Sequence, residues 1–157
     1  MKDNILEIKN LSIRFKTDAG YINALKDFSL SLKKNQIIGI VGESGSGKSV
    51  SVNAILKLLP DKAEVTGKIL YNIGGNCVDL NKIHKHSKSI RQVRASEISI
   101  IFQEPMSSLS PIHKISNQMT DGMIYNGHSR KEAYNRSINL LRKVGVTSPE
   151  VRMNQYS

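Results

Sequence analysis

The chain has 157 residues, 39% of them hydrophobic, which is enough to bury the core of about one domain. Its 23 Lys and Arg residues exceed its 13 Asp and Glu residues and give a formal net charge of +10. Such a surplus favours phosphate ligands, nucleic acid or anionic lipids as partners. The alternative is that the chain is part of a longer protein whose acidic residues lie elsewhere. A single cysteine excludes an internal disulfide framework, and no apolar run approaches the roughly 18 residues that span a bilayer, so any membrane role is peripheral.

The first 35 residues predict a small antiparallel sheet. Apolar and polar residues alternate from Ile5 to Phe15, and the alternation returns from Phe28 to Leu32. This period of two is typical of half-buried strands. A hairpin is expected near Ala19 and Gly20.

The pattern changes at "QIIGIV", Gln36 to Val41, which is a continuous apolar run. Such a run is typical of a strand that is covered on both faces in a parallel sheet. Beyond a glycine-rich stretch, apolar residues recur at helical spacing and Pro60 closes the segment. The predicted order is therefore strand, glycine-rich loop, helix. The apolar residues of the helix are Val52, Ile55, Leu56 and Leu59.

The loop "GESGSGKS" between that strand and that helix has the spacing of a Walker A motif. Its glycines permit positive φ and let backbone amides approach phosphate oxygens, while the helix N-terminus adds positive potential. Lys48 is expected to reach the β and γ phosphates, and the hydroxyl of Ser49 to ligate Mg²⁺. The predicted nucleotide-binding residues of the loop are Gly42, Glu43, Ser44, Gly45, Ser46, Gly47, Lys48, Ser49 and Val50.

The segment Asn81 to Arg94 is basic and contains the pair His84 and His86. A zinc site is disfavoured there, because no nearby Cys or carboxylate completes a four-ligand set and neighbouring cations repel a metal. The segment predicts a solvated helix that joins a strand near Ile69 to the next strand. Contact of its positive charge with lipid headgroups is an open alternative.

A second apolar strand is predicted from Ile98 to Phe102, and it ends at Gln103. Pro105 and Pro111 are expected to stop regular structure beyond it. A side chain at the carboxyl end of a parallel strand lies where ligands bind in open α/β sheets. The amide of Gln103 can ligate a metal or orient a water, although a glutamine at a strand end, taken alone, more often has a purely structural role.

The segment "SRKEAYNRSINLLRKVGV" predicts an amphipathic helix. Ser129 and Glu132 have the spacing of a capping box, and Gly145 is a helix-ending glycine. The residues expected on its packed face are Ala133, Ser137, Leu140, Leu141 and Val144.

Taken together, the Walker A loop and the later phrase "IFQEPMSSLSP" make the chain resemble the ATP-binding subunit of an ABC transporter, in the oligopeptide, dipeptide and nickel importer branch. The phrases "LEIKNLSIRF", "VTGKILYN" and "KISNQMTDGM" are similar to the family's opening sheet, core and helical subdomain. The resemblance implies an α/β P-loop NTPase fold of the ABC ATPase type. It implies an antiparallel β-subdomain at 1–35, the phosphate-loop half of an incomplete parallel core at 36–104, and a Q-loop with a truncated helical subdomain at 105–157.

The same resemblance implies site roles. Lys48 and Gln103 are expected to be catalytic, Ser49 and Gln103 to hold Mg²⁺, and residues 42–50 to bind ATP. Gln103 is also expected to couple the site to a membrane partner, because the Q-loop resembles a hinge. The family stacks adenine on an aromatic residue of the opening sheet, for which Phe15 is the candidate, Tyr21 is a rival and a plain core role for Phe15 is the third possibility.

The closing phrase "VRMNQYS" resembles the one that precedes the family's signature motif, and no Walker B strand or switch histidine follows Gln103. We therefore expect the parent protein to be an ATPase that drives uptake of peptides, nickel or a similar solute, and the 157 residues alone to hydrolyse ATP negligibly. The expected partners are transmembrane permease subunits, a second and different ATP-binding subunit and, indirectly, a solute-binding protein. The expected location is the cytoplasmic face of the membrane.

Two alternatives remain open. An ABC-type ATPase associated with nucleic acid is suggested by the charge of +10, although no nucleic acid is expected for a transporter subunit. A non-catalytic nucleotide-binding short form is the other.

Overall fold

The computed structural model of the chain describes residues 4–73, 75–103 and 108–156. The chain divides into two compact units, Met1–Glu97 and Ile98–Ser157. The predicted stop at Pro105 and the predicted boundary between residues 104 and 105 lie outside the described residues.

The first unit contains a four-stranded antiparallel sheet with the strand order β2-β1-β3-β4. The strands are β1 (Asn4–Thr17), β2 (Gly20–Lys33), β3 (Ala63–Ile73) and β4 (Asn76–Asp79). The hairpin predicted near Ala19 and Gly20 is confirmed, because β1 and β2 pair up to Thr17 and Gly20. β1 lies between β2 and β3 in the middle of the sheet, and its apolar side chains belong to the core. Ile8, Leu11 and Ile13 are 2%, 0% and 1% exposed.

A register shift in β1 explains why a glycine is needed in β3. The pairing of β1 with β3 shifts between Lys9 and Ser12, and Asn10 has a left-handed φ of 49°. This brings the carbonyl oxygen of Asn10 to 2.4 Å from the point where a Cβ of Gly67 would lie. Only glycine fits this approach, since Gly67 also has a φ of 92°.

The first unit also contains short helical segments between β2 and β3 and after β4. They are α1 (Lys48–Ile55), α2 (Lys88–Gln92), a 3₁₀ turn at Leu80–Lys82 and a π-helical turn at Val93–Glu97. The helix predicted after the glycine-rich loop is confirmed, but it ends before Leu59, since Lys57 adopts a left-handed φ of 53°. Arg94 donates hydrogen bonds to the carbonyls of Leu56 and Lys57, at 2.8 and 2.9 Å, and so satisfies backbone acceptors at this helix end.

In place of the single helix expected from Asn81 to Arg94, the structure has three short segments, namely the 3₁₀ turn, α2 and the π-helical turn. Asp79 caps the 3₁₀ turn and Ser87 caps α2 with a side-chain oxygen. Two capping residues in so short a segment favour separate helix starts over one continuous helix.

Both predicted parallel strands are absent from the described residues, and these two predictions were wrong as local structure. Residues 36–40 and 98–102 have no strand assignment. Ile37, Val41 and Ile101 are 98%, 96% and 95% exposed. A strand exists only where a neighbour supplies backbone partners, and no residue described here pairs with either segment.

The second unit is helical, with α3 (Ile115–Tyr125), α4 (Arg130–Lys143) and α5 (Pro149–Met153). The capping box of α4 is confirmed, with Ser129 and Glu132 each accepting the other's backbone N–H. Gly145 follows α4 with a left-handed φ of 78°, as predicted for the helix end.

The buried face of α4 differs from the predicted one. Ala133 and Ser137 are fully buried, but Leu140 and Val144 are 45% and 75% exposed, and Ile138 is buried instead. The core of this unit gathers around the middle of α4, where Met153 of α5 is also fully buried. The exposed residues Leu140 and Val144 lie at the carboxyl end of α4, where Arg142 pairs with Glu150 of α5.

Candidate nucleotide-binding site

The glycine-rich loop lies directly before α1, as its sequence predicts. Gly45 and Gly47 have φ values of 82° and 88°, and Gly47 is the N-cap residue of α1. These left-handed conformations cost little for glycine and about 1–2 kcal/mol for other residues. The local backbone therefore requires glycine at two of the three loop positions that carry it.

Gly47 also fixes the loop against the sheet. A Cβ at this position would lie 2.6 Å from the carbonyl oxygen of Ala24 and 2.9 Å from Cδ1 of Leu25, both on β2. The loop backbone thus packs directly on the β2 backbone, with no room for a methyl group. This contact sets the place from which α1 begins.

The ammonium group of Lys48 lies across the loop. Its Nζ donates to the carbonyls of Gly42 and Glu43, each at 2.6 Å, and to the hydroxyl of Ser46 at 3.3 Å. The positive charge is therefore held over the loop itself, within reach of anything that the loop binds. The arrangement fits a polyphosphate, which would replace these neutral acceptors with charged oxygens and form stronger hydrogen bonds.

The first turn of α1 adds further donors. The N–H groups of a helix's first turn lack intrahelical acceptors and carry partial positive charge. The first turn of α1 contains no acidic residue that would cancel this potential. The hydroxyl of Ser51 donates to the carbonyl of Lys48 at 2.7 Å and is thus engaged within the helix, whereas Ser49 is exposed. Ser49 therefore provides the accessible hydroxyl of the first turn of α1.

The two aromatic candidates lie on opposite faces of the sheet. Phe15 is two residues from Ile13, whose cross-strand partner is Leu25, and Leu25 is the residue that meets Gly47. Residues two apart on a strand share a face. Phe15 is half-buried and faces the side of the sheet on which the loop packs.

Tyr21 pairs with Lys16 and so belongs to the other face. Its hydroxyl donates to Glu64 at 3.0 Å, and the Arg14 guanidinium lies 4.3 Å from its ring centroid. Arg14 also donates to Glu64 at 2.7 Å. These contacts occupy both the hydroxyl and one ring face of Tyr21.

Gln103 is exposed and belongs to the second unit, whereas the loop belongs to the first. Its expected pairing with Ser49 across a magnesium ion stays a prediction. Within the first unit, the structure brings the loop, Lys48, Ser49 and the Phe15 face of the sheet together.

The histidine pair forms a local contact. The Nδ1 of His84 accepts from the backbone N–H of His86 at 3.3 Å, and the ring centroids are 5.6 Å apart. No group of three His, Cys, Asp or Glu residues suited to a metal occurs within residues 4–73, 75–103 and 108–156.

Several residues that support the site were not identified from the sequence. Ala24 and Leu25 form the seat of Gly47, and Arg94 holds the carboxyl end of α1. Each contact joins residues more than 20 positions apart, and no local pattern marks such a partner. The pairing of β1 with β2 shifts between Ile13 and Arg14, opposite Leu25 and Asn23, and this irregularity is visible only in the structure.

Comparison with known proteins gives a consistent family. The model of the family described as "ABC transporter" matches residues 25–157. The dipeptide transport ATP-binding protein DppD of Lactococcus lactis is 37% identical over 158 residues, which is 99% of this chain and 44% of that protein. The oligopeptide transport ATP-binding protein OppD of Bacillus subtilis is 41% identical over 155 residues, 97% of this chain and 42% of that protein. The chain thus spans less than half the length of these relatives.

Solved structures agree on the fold. The dimeric structure of a bacterial ABC transporter cassette has a TM-score of 0.75 at 23% identity and covers 96% of this chain and 61% of that one. A post-hydrolysis state of that cassette, bound to ADP and phosphate, has a TM-score of 0.74 at 24% identity with the same coverage. The ABC ATPase cassette fold expected from the sequence is thereby confirmed. In the part of the chain that the structure describes, no helix has the length and apolar character needed to cross a membrane.

Proposed function

Because the chain belongs to the ABC transporter family, we propose that it forms the N-terminal part of an ATP-binding subunit that drives uptake of peptides, or of nickel or a similar small solute. The relatives named for dipeptide and oligopeptide transport support the substrate class. Their greater length supports the placement of these residues within a longer subunit. The sister-ATPase and binding-protein partners follow from the same family assignment.

One observation carries the nucleotide-binding part of the proposal. The ammonium of Lys48 lies over a loop whose left-handed glycines open directly into the N-terminus of α1. An ammonium, loop amides and a helix N-terminus are the three features that together bind phosphate groups in P-loop proteins. The electrostatics of this surface therefore favour a polyphosphate over a neutral ligand.

The residues of the site take distinct roles in this proposal. Lys48 binds the β and γ phosphates, and the exposed hydroxyl of Ser49 provides one Mg²⁺ ligand. Gln103 provides a second ligand and responds to the γ-phosphate. Phe15 stacks on the adenine. Bound Mg-ATP supplies the phosphoryl group that is transferred to water.

The proposed subunit works on the cytoplasmic face of the membrane. It contacts transmembrane permease subunits, pairs with a second and different ATP-binding subunit, and depends indirectly on a solute-binding protein. Solute choice lies with those partners, so no residue of this chain needs to contact the solute.

We expect the 157-residue chain alone to turn over ATP at less than roughly 1 s⁻¹, below the ordinary range for enzymes. Phosphoryl transfer depends on positioning and charge stabilisation from several sides, and the proposal assigns only the phosphate loop and Gln103 to these 157 residues. Phosphate release measured at saturating Mg-ATP checks this value. A turnover above this value would contradict the proposal that residues outside these 157 are needed to complete the catalytic site.

The binding proposal is tested with Lys48→Ala and with Lys34→Ala as its control. Lys34 is an exposed lysine in the turn after β2, so both variants lose one positive charge. Loss of a charge-assisted hydrogen bond at Lys48 should weaken Mg-ATP binding by about tenfold or more, and Lys34→Ala should change it little. Calorimetric titration gives both affinities. Equal affinities for wild type and Lys48→Ala would overturn the assignment of the phosphate-binding loop.

A further inference from the structure

The first unit contains a cavity that the phosphate loop does not use. It has a volume of about 470 Å³ and lies where the end of α1, the start of β3 and the segment after β4 meet. We call it the α1–β3 cavity. Its apolar lining comes from Ala54, Leu59, Pro60, Ala63, Val65 and Ile83. The other six of the twelve lining residues are polar or charged, so the lining is about equally apolar and polar. The volume lies within the range of about 300 to 1,000 Å³ that is typical of small-molecule sites.

The charged lining of the α1–β3 cavity is mostly positive. Lys57, Lys82 and Lys85 contribute three positive charges, and Asp61 contributes one negative charge. Lys82 is exposed and has no ion-pair partner within the described residues. The formal balance is +2, so the cavity attracts an anion.

The ammonium group of Lys57 is held by neutral hydrogen-bond acceptors. It donates to the backbone carbonyl of Asn81 at 2.6 Å and to the Asn81 side-chain oxygen at 3.3 Å. Partial burial lowers the pKa of Lys57, and the nearby Asp79 opposes this effect only in part. An anion placed in the cavity would stabilise the charged form of this lysine.

Asp61 and Lys85 form an ion pair across the cavity. Asp61 lies in the turn before β3, and Lys85 lies in the segment after the 3₁₀ turn. The hydrogen bond and the charge of Lys85 hold the pKa of the Asp61 carboxyl below its ordinary value. The side chain of Asp61 is 83% exposed and that of Lys85 only 30%, so the carboxylate comes from the solvent side to meet the lysine. An external anion would approach Lys85 in the same way and would compete with Asp61.

We propose that the α1–β3 cavity is a binding site for a small organic anion, with a phosphate or carboxylate head joined to an apolar body. The lysines bind the head, and the apolar lining contacts the body. The site is separate from the phosphate loop and goes beyond the proposed role in ATP binding. It adds a place where a metabolite can bind the same unit as the nucleotide.

Phenyl phosphate is a suitable probe, with inorganic phosphate and phenol as its two halves. Titration of the ¹⁵N-labelled chain, followed by amide chemical shifts, reports each residue separately. We expect phenyl phosphate to shift the amides of Lys57, Asp61 and residues 81–85, and to bind more tightly than either half. Because its phosphate can also enter the phosphate loop, all titrations are repeated in Lys48→Ala. Shifts around residues 81–85 that persist in that variant support the proposal, and shifts confined to residues 42–49 overturn it.

Charge variants give opposite effects at this site. Lys82→Ala and Lys85→Ala should each weaken phenyl phosphate binding by about threefold, because each removes one partly exposed cation. Asp61→Asn should strengthen it by about threefold, since it frees Lys85 and removes the competing carboxylate. Lys34→Ala is the control and should leave the affinity unchanged. A uniform loss in all three lysine variants would indicate nonspecific attraction to net charge and would overturn the proposal, as would no gain in Asp61→Asn.

Discussion

Strand β1 and the segment of residues 36–41 are both rich in isoleucine, yet only β1 is buried. Ile8, Leu11 and Ile13 of β1 are almost completely covered, whereas Ile37 is 98% and Val41 is 96% exposed. The sheet gives β1 a neighbour on each side, β2 and β3, and no described residue pairs with residues 36–41. The difference shows that apolar composition makes a segment able to enter a core, and that its burial depends on partner strands.

The largest expected difference comes from equivalent isoleucines in the two regions. Ile8→Ala in β1 removes a side chain that is 2% exposed and should lower the free energy of unfolding by about 2–5 kcal/mol. Ile37→Ala should change it by no more than about 0.5 kcal/mol, because that side chain is already in water. Denaturant unfolding followed by circular dichroism measures both. If the two variants lost similar stability, residues 36–41 would have to be packed in solution, and the comparison would fail.

The glycine-rich loop connects the exposed segment to α1 and packs on β2 at Gly47. Substitutions at two of its glycines distinguish the cost of backbone strain from the cost of a steric clash. Gly45→Ala places a Cβ in open space at a φ of 82° and should cost about 1–2 kcal/mol. Gly47→Ala adds a collision with the Ala24 carbonyl to a similar φ cost and should lower stability by about 2–4 kcal/mol. Thermal unfolding of the two variants gives the difference. Equal losses would show that the loop is not seated on β2.

Local motifs were the part of the fold that the sequence predicted well. The hairpin, the glycine loop before α1, and the Ser129 capping box each depend on residues within a few positions of one another. Their geometry follows from turn chemistry and hydrogen-bond spacing that a short window contains.

The failures share a physical cause. The apolar runs at residues 36–41 and 98–102 predict strands, but an apolar run does not specify which other strand forms hydrogen bonds with its backbone. The exposure of Val144 at the carboxyl end of α4 and the contact of Gly47 with Ala24 likewise depend on contacts between distant segments. For the site, the sequence therefore predicted the phosphate-binding residues themselves and missed the residues that hold them in place.

The two faces of the sheet can be separated by nucleotide binding. Phe15→Ala removes the aromatic ring on the face where the loop packs and should weaken ATP binding by about tenfold, the size expected for loss of base stacking. Tyr21→Ala should have little effect, because Tyr21 is held by Glu64 and Arg14 on the opposite face. Competition with a fluorescent ATP analogue compares the variants. The reverse ranking would move the stacking role to Tyr21.

The smallest expected effect is a pH dependence from the exposed face of the sheet. Hydrogen bonds from Arg14 and then Tyr21 hold the pKa of Glu64 below its ordinary value. Because the folded-state pKa is the lower one, this stabilisation is complete above the unfolded-state pKa of about 4.3 and is lost as the pH falls through the folded-state value. Between about pH 5 and pH 3 the melting temperature of the Glu64→Gln variant should therefore fall less than that of wild type. Parallel curves for the two proteins would contradict the pairing.

The central claim is that residues 42–49 bind a nucleotide through its β and γ phosphates. Calorimetric titration of the chain with Mg-ATP and with AMP tests this directly, because AMP keeps the adenine and ribose but lacks those two groups. We predict that ATP binds at least about tenfold more tightly than AMP, the difference expected from a charge-assisted contact with Lys48. Equal affinities for ATP and AMP would show that binding depends on the nucleoside, and would contradict the account.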